Sequence, residues 1–202
     1  VSRLGLNLGC GDRLIVRHED IEFVNLDLEP SIRKKADEIG ARFQTHDLTR
    51  NRLPFDDATV AFINVAQCFE HLNLIDGLRL LPECFRVLKP YGVLRISVPD
   101  AALLLRSHAR GKLDEFASVQ PPVYGQVKSQ TLKLGLILFG ALHGHGETGH
   151  KQCYDEEGLR EVLEMVWFSD VKRAAFDQVF DAPVAQDHQL AMTAVKPLWS
   201  LS

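Results

Sequence analysis

Leu6-Asn7-Leu8-Gly9-Cys10-Gly11-Asp12 (LNLGCGD) closes a β-prone run that opens at Arg3. Glycines directly after a strand let the backbone turn tightly and approach a ligand that a Cβ would hold off. The next apolar run, Ile21 to Asp27, ends on an acid, and the third, Ala41 to His46, is followed by Asp47 and Leu48. In an open parallel sheet, ligands bind beyond the carboxyl ends of the strands, where the strand order reverses. A carboxylate at Asp27 can accept both hydroxyls of a ribose. An acceptor at Asp47, beside a neighbouring amide, suits the exocyclic amine and a ring nitrogen of adenine. Each feature alone has a plainer use, as a turn, a cap or a solvated loop residue. All three in order, at successive strand ends, point to a nucleoside. The dinucleotide fingerprint needs a third glycine where Leu14 stands, and Asp12 lies where a diphosphate would come close, so NAD does not fit.

Outward from this core the same alternation continues. Pro30-Ser31 opens a charged helix that Gly40 ends, and Thr59 to Val65 reads as a buried fourth strand. Leu78, Leu81, Phe85 and Leu88 share a helical face, with Pro82 predicting a kink or a restart near Leu81. Pro90 and Gly92 stop that helix before a fifth strand, Val93 to Val98, which runs into Pro99-Asp100. Asp155 can cap a helix carrying Leu159, Val162, Leu163 and Val166, ahead of strands at Val171 to Phe176 and Gln189 to Val195. Strands alternating with helices predict an α/β fold with a doubly wound, mostly parallel, Rossmann-like sheet. Residues 1–202 read as one domain. Residues 101–150 form a helix plus a long segment, too long for a plain connection, that reads as a substrate lid after strand five.

The chain has 202 residues, enough to bury a sizeable core, and a formal net charge of -4. That balance gives no global attraction to phosphate backbones, so nucleic acid is not an expected partner. The nine-residue apolar run Leu134 to Leu142 is too short to span a bilayer. It reads as a packed helix that covers the cofactor or pairs two subunits as a homodimer. Four cysteines, none in a Cys-X-X-Cys pair, read as reduced thiols in a cytoplasmic protein. The first strand begins at Arg3, so no signal peptide is visible, and an opening on Val1 rather than Met leaves room for residues upstream.

Four stretches resemble the class I S-adenosylmethionine-dependent methyltransferases: LNLGCGD from Leu6, VNLDLEP around Asp27, HDLTRNRLPFDD from His46 and ECFRVLKPYGVLRISVPD from Glu83. CFEHL from Cys68 and the closing HKQCYDEEGLREVLEMVWFSDV from His150 extend the similarity to nearly the whole chain except residues 101–149. The resemblance implies a seven-stranded sheet of order 3-2-1-4-5-7-6 with its last strand antiparallel. It implies S-adenosylmethionine as cofactor. Gly9, Cys10 and Gly11 would flank its methionine part, Asp27 and Leu28 its ribose, Asp47 and Leu48 its adenine, and Ala66 and Gln67 its sulfonium. Asn7 stands where the family usually has an acid; its amide can still accept from the ammonium. Compact relatives of this kind act on small molecules or glycan-related acceptors.

Methyl transfer mainly needs the nucleophile aligned with the methyl and water excluded, with a base only if the nucleophile keeps its proton. Candidate bases are Glu70, His71, Asp100, His143, His145 and His150. His150 is favoured because it lies closest to the ordered helix at Asp155; His71 and Asp100 follow strand ends at the crevice. Helix capping is the competing use of Glu70-His71 and of Asp100. The spacing of His143, His145, His150 and Cys153 matches no zinc pattern, so no metal is expected. Two other classes stay open: a cofactor-binding protein without catalysis, and a metal-dependent hydrolase built on the histidine loop.

Overall fold

The computed structural model describes residues 2–119, 126–139, 149–183 and 186–198. Parallel strands β1 (Arg3–Leu8), β3 (Ile21–Asp27), β4 (Arg42–Thr45), β5 (Val60–Ala66) and β6 (Leu88–Pro99) form the body of one sheet. β8 (Gln189–Val195) enters antiparallel between β6 and β7 (Ser169–Arg173). Read across, the order is β4-β3-β1-β5-β6-β8-β7, the arrangement the resemblance implies. An eighth, two-residue strand, β2 (Arg17–His18), adds antiparallel to the start of β3. No helix among the described residues is long and apolar enough to cross a membrane.

Side chains alternate across the sheet, so each face has its own chemistry. Leu6, Leu8, Val24, Leu26, Ile63, Val65, Leu94 and Ile96 point to one face. There they meet Leu80, Leu81, Cys84 and Val87 of α2 (Leu74–Val87) and Leu159, Val162 and Leu163 of α5 (Glu156–Met165). The side chains of Asn73 and Asp155 cap these helices by accepting from Asp76 N and Gly158 N. Pro82 lies inside α2 without splitting it, contrary to the expected restart. The buried stripe through Leu80, Leu81, Cys84 and Val87 holds the helix to the sheet on both sides of the missing amide. β6 also starts earlier than expected. Leu88 pairs with Val60, and Tyr91 N and Lys196 N donate to Lys196 O and Gly92 O, so Pro90 and Gly92 lie within the strand, at a register shift where Tyr91 takes a left-handed φ of 62.

The opposite face carries a polar row beside aromatic and aliphatic clusters. Asn25, Asn7, Asn64 and Arg95 occupy one row across β3, β1, β5 and β6. Asn7 donates to Asn25 Oδ1 (2.9 Å), and Asn64 donates to Asn7 Oδ1 (3.0 Å). Arg95 pairs with Asp181, fully buried, and donates to Ala175 O (2.8 Å). α1 (Ile32–Ile39) covers only the Cys10, Ala41 and Phe43 end of this face. The rest lies under the loop around Phe180, which stacks on Phe62 and packs with Phe23.

Removing one partner of a buried ion pair strands the other charge. Asp181→Ala should therefore lower unfolding free energy by about 3–5 kcal/mol, read from urea denaturation. A loss below 1 kcal/mol (roughly the worth of a surface pair) would show that the loop does not depend on this pair.

Candidate functional site

The turn after β1 is held from two sides. Gly9 has φ +60, and a Cβ there would fall 2.0 Å from Cys68 Sγ, so no other residue fits without displacing the turn after β5. Gly9 N and Cys10 N both donate to Leu26 O (2.8 and 3.2 Å), closing the loop onto β3. Asp27 completes the tie. Its Oδ2 accepts from Gly11 N at 2.8 Å, and its Oδ1 accepts from Glu29 N at 2.9 Å. Gly11 has φ +49, with nothing within 4 Å of where its Cβ would stand.

The neighbouring groups fit a nucleoside. Leu28 leaves 65% of its surface exposed beside Asp27, an apolar platform at a strand end. Asp47 Oδ1 accepts from Thr49 Oγ1 (2.7 Å) and Thr49 N (2.9 Å), and these bonds, the hydroxyl's first, hold its carboxyl below the usual range. Leu48 reaches toward Gly9, its Cδ1 lying 3.8 Å from where a Cβ on that glycine would stand. Cys10 contributes backbone only, because its side chain is buried with Ala36, Ala41 and Phe43 under α1, where burial pushes the thiol up to about 12. Asn7 lies in the buried asparagine row, where its amide also donates to Arg13 O (2.8 Å). Its side chain serves the sheet, where the sequence suggests an acceptor for the cofactor's ammonium.

Beyond β5 the character changes. Ala66 ends the strand, and Gln67 takes a left-handed φ of 51 with its amide donating to Ser97 O (2.8 Å). A 3-10 turn, Phe69–His71, follows, with Phe69 in the core. Glu70 is 1% exposed, and neither carboxylate oxygen has a hydrogen-bond partner among the described residues. Burial pushes its pKa up to about 8. Glu70 O accepts from Lys151 N (2.8 Å) and Gln152 N (3.1 Å), which brings His150 to the same turn. The His71 and His150 rings meet edge to face, centroids 4.8 Å apart. One ligating atom from each of Glu70, His71 and His150 lies within 4.8 Å of the others.

Further buried polar atoms without partners among the described residues lie on the strands and turns at this end: Gln67 Nε2, Ser97 Oγ, the Tyr154 hydroxyl and both polar atoms of Gln189. Burial, then Glu70, pushes Tyr154 up to about 12.

Of the residues expected to act on the acceptor, the structure brings His71 and His150 together and sets Asp100 in another role. Asp100 Oδ1 accepts from Leu103 N (2.9 Å) as the cap of α3 (Ala101–Ala109), and Oδ2 pairs with Arg173 at 2.5 Å. His143 and His145 lie outside the described residues, as do 120–125 and 140–148 of the expected lid. The described part of that segment forms α4 (Gln130–Phe139), whose Ile137 and Leu138 pack with Leu104, Leu113 and Phe116. Gln67, Ser97 and Gln189 share this end through the pairing of β5, β6 and β8. Sequence alone carried no sign of Ser97, Gln189 or Tyr154, since no motif marks a polar atom left without a partner.

Residues 6–96 match a family model described as a methyltransferase domain. No curated protein matches significantly. An S-adenosylmethionine-dependent methyltransferase from Archaeoglobus fulgidus superposes with a TM-score of 0.61 at 17% identity, covering 96% of this chain and 86% of that one. The S-adenosylmethionine-dependent methyltransferase SibL gives 0.61 at 17% identity, and its match spans 98% of this chain but 51% of its own. The [4+2]-cyclase SpnF gives 0.58 at 17% identity, covering 98% of this chain and 76% of its own. At such identities the likeness is one of fold.

Glu70 sets a pH dependence of stability. Its pKa rises from 4.5 to about 8 on folding. Between those values the unfolded chain has lost a proton that the folded chain keeps. Stability is therefore highest below the unfolded value and falls by about 1.4 kcal/mol per pH unit until the folded value is passed. In chelating buffer, urea unfolding at pH 5 and pH 7.5 should show this fall in the parent, and a smaller one in Glu70→Gln. Equal falls in the two proteins would contradict it.

Proposed function

We propose that this chain, whose fold and methyltransferase domain are those of a class I S-adenosylmethionine-dependent methyltransferase, transfers the methyl group to a small-molecule or glycan-related acceptor. S-adenosylmethionine supplies a methyl group already activated on sulfonium. Asp27, Leu28, Asp47 and Leu48 would hold its nucleoside, Gly9 and Gly11 would let the backbone approach its methionine part, and Ala66 and Gln67 would lie next to its reacting end.

The observation that carries the acceptor reading is the change in hydrogen bonding across the sheet. Asp27 and Asp47 already have partners, whereas Gln67, Ser97, Tyr154 and Gln189 keep buried polar atoms without any among the described residues. A buried polar group without a partner costs about 1–3 kcal/mol, so such groups favour a ligand rich in hydroxyls or amines. His150 would take the acceptor's proton, with His71 against its ring fixing its orientation. Asp100 would act at one remove, by positioning α3 and Arg173. Four free cysteines support the cytoplasm as its compartment. Residues 101–150 would close over the acceptor.

A second reading has one observation in its favour. SpnF shares the fold and is named a cyclase, so a sheet of this kind supports more than one reaction. Cofactor binding without methyl transfer to any of a broad set of acceptors would favour it.

Asp27→Ala should weaken S-adenosylhomocysteine binding by more than tenfold in calorimetry, since charge-assisted hydrogen bonds contribute roughly 1.5–3 kcal/mol each. Asp27→Asn, keeping one acceptor oxygen for Gly11 N or Glu29 N, should lose less. Unchanged affinity in Asp27→Ala would remove this strand end from the cofactor site. Transfer of radiolabelled methyl to hydroxylated and aminated small molecules and to sugars tests the acceptor class. With an acceptor found, His150→Ala should lower kcat by roughly 10²–10⁴-fold and abolish the loss of rate seen as pH falls through the histidine range. A parent-like kcat and pH profile would exclude His150 as the base.

A further inference from the structure

The geometry points to a metal site: Glu70, His71 and His150 together bind one first-row divalent cation, Zn²⁺ foremost. One ligating atom from each lies within 4.8 Å of the other two. Around a tetrahedral zinc ion such atoms sit roughly 3.4 Å apart, so small side-chain rotations bring all three to bonding distance.

Three features make this more than a chance grouping. Glu70 is buried and both its carboxylate oxygens lack hydrogen-bond partners among the described residues. A buried carboxylate is stable as an anion only when a cation or strong donors face it, and a divalent ion meets that need directly. The spacing of the donors is also set by main chain. Lys151 N and Gln152 N donate to Glu70 O, so His150 is tied to the turn that carries Glu70 and His71. That turn is fixed in its place by Phe69 in the core and by Cys68 against Gly9.

The donor set narrows the ion. Two imidazoles and one carboxylate suit zinc, cobalt, nickel, iron or manganese. The set contains no sulfur, the ligand type that selects copper(I). Three protein ligands leave a coordination position for an oxygen from outside the chain. Binding of the ion does not depend on the acceptor reading; only its use in methyl transfer rests on that reading. With the ion in place, His150 would serve as a ligand in place of its role as base, and the ion would acidify an acceptor hydroxyl so that its proton passes to solvent water.

Untagged protein, stripped with chelator and titrated with Co²⁺, tests the site. One equivalent should bind per chain and develop the visible absorption of cobalt held by nitrogen and oxygen ligands, and Zn²⁺ should displace it. His150→Ala and His71→Ala should each weaken binding by at least roughly 100-fold, while still binding S-adenosylhomocysteine, which shows that they fold. Glu70→Gln should weaken it as well. The double variant His143→Ala/His145→Ala should bind like the parent. Asp27→Ala should lose the cofactor and keep the metal, so that failure of the cofactor reading and failure of this inference give different results. Absence of stoichiometric binding in folded parent protein would overturn the site. So would parent-like affinity in folded His150→Ala and His71→Ala, or dependence on His143 and His145 in place of His71 and His150.

Discussion

The approach of Cys68 to Gly9 is the constraint from which the rest of the site follows. A Cβ on Gly9 would fall 2.0 Å from Cys68 Sγ, so the turns after β1 and β5 touch with no room between them. This contact joins the two halves of the crevice at the point where the sheet order reverses. On one side, Gly9 and Cys10 bond to the end of β3, and Asp27 returns a bond to Gly11. On the other, the turn continues into Phe69, Glu70 and His71, and Glu70 O anchors the chain at Lys151 and Gln152. The position of His150, far from His71 in sequence, is thus set by a glycine near the start of the chain.

Behind this crevice, the sheet carries an unusual load on one face. Where α2 and α5 cover the other face with aliphatic side chains, here Asn25, Asn7, Asn64 and Arg95 run in a row beneath an irregular loop. Polar side chains suit such a cover, because a loop brings backbone carbonyls that a helix would keep for itself. Asn7 bonds to Arg13 O, Asn64 to Phe180 O and Arg95 to Ala175 O. The row thereby satisfies the cover while the cover dries the row. Asp181 closes the arrangement by neutralising Arg95.

The sequence made legible the features that depend on local chemistry. Gly40 ends α1, Asp155 caps α5, Asp27 stands at the end of β3, and β8 has the bounds that its alternating residues suggest. What it hid depends on tertiary pairing. β6 runs back through Pro90 and Gly92 because β5 and the chain after β8 supply partners for that stretch. Pro82 is tolerated because α2 is packed on both sides of it. The bonds of Asn7 to Asn25 and Asn64 across the sheet depend on strand register and have no mark in the sequence. The grouping of Glu70 and His71 with His150 also escaped a reading by spacing, since metal-ligand patterns are searched along the chain and this one closes across it.

Most of the crevice's buried polar atoms without partners among the described residues lie on one side of it; on the other, His46 Nε2 also lacks one, and the imbalance has an energetic meaning. Asp27 and Asp47 hold their loops through bonds that exist before any ligand arrives, so a nucleoside bound there, as proposed, would cost little in ordering them. Glu70, Gln67, Ser97, Tyr154 and Gln189 keep buried polar atoms without partners among the described residues, each at a cost the fold must offset elsewhere. Such a region is destabilised relative to the rest of the chain, and whatever satisfies it stabilises the folded state by mass action. The core on the α2 and α5 face and the Arg95–Asp181 pair supply the stability that makes this tolerable.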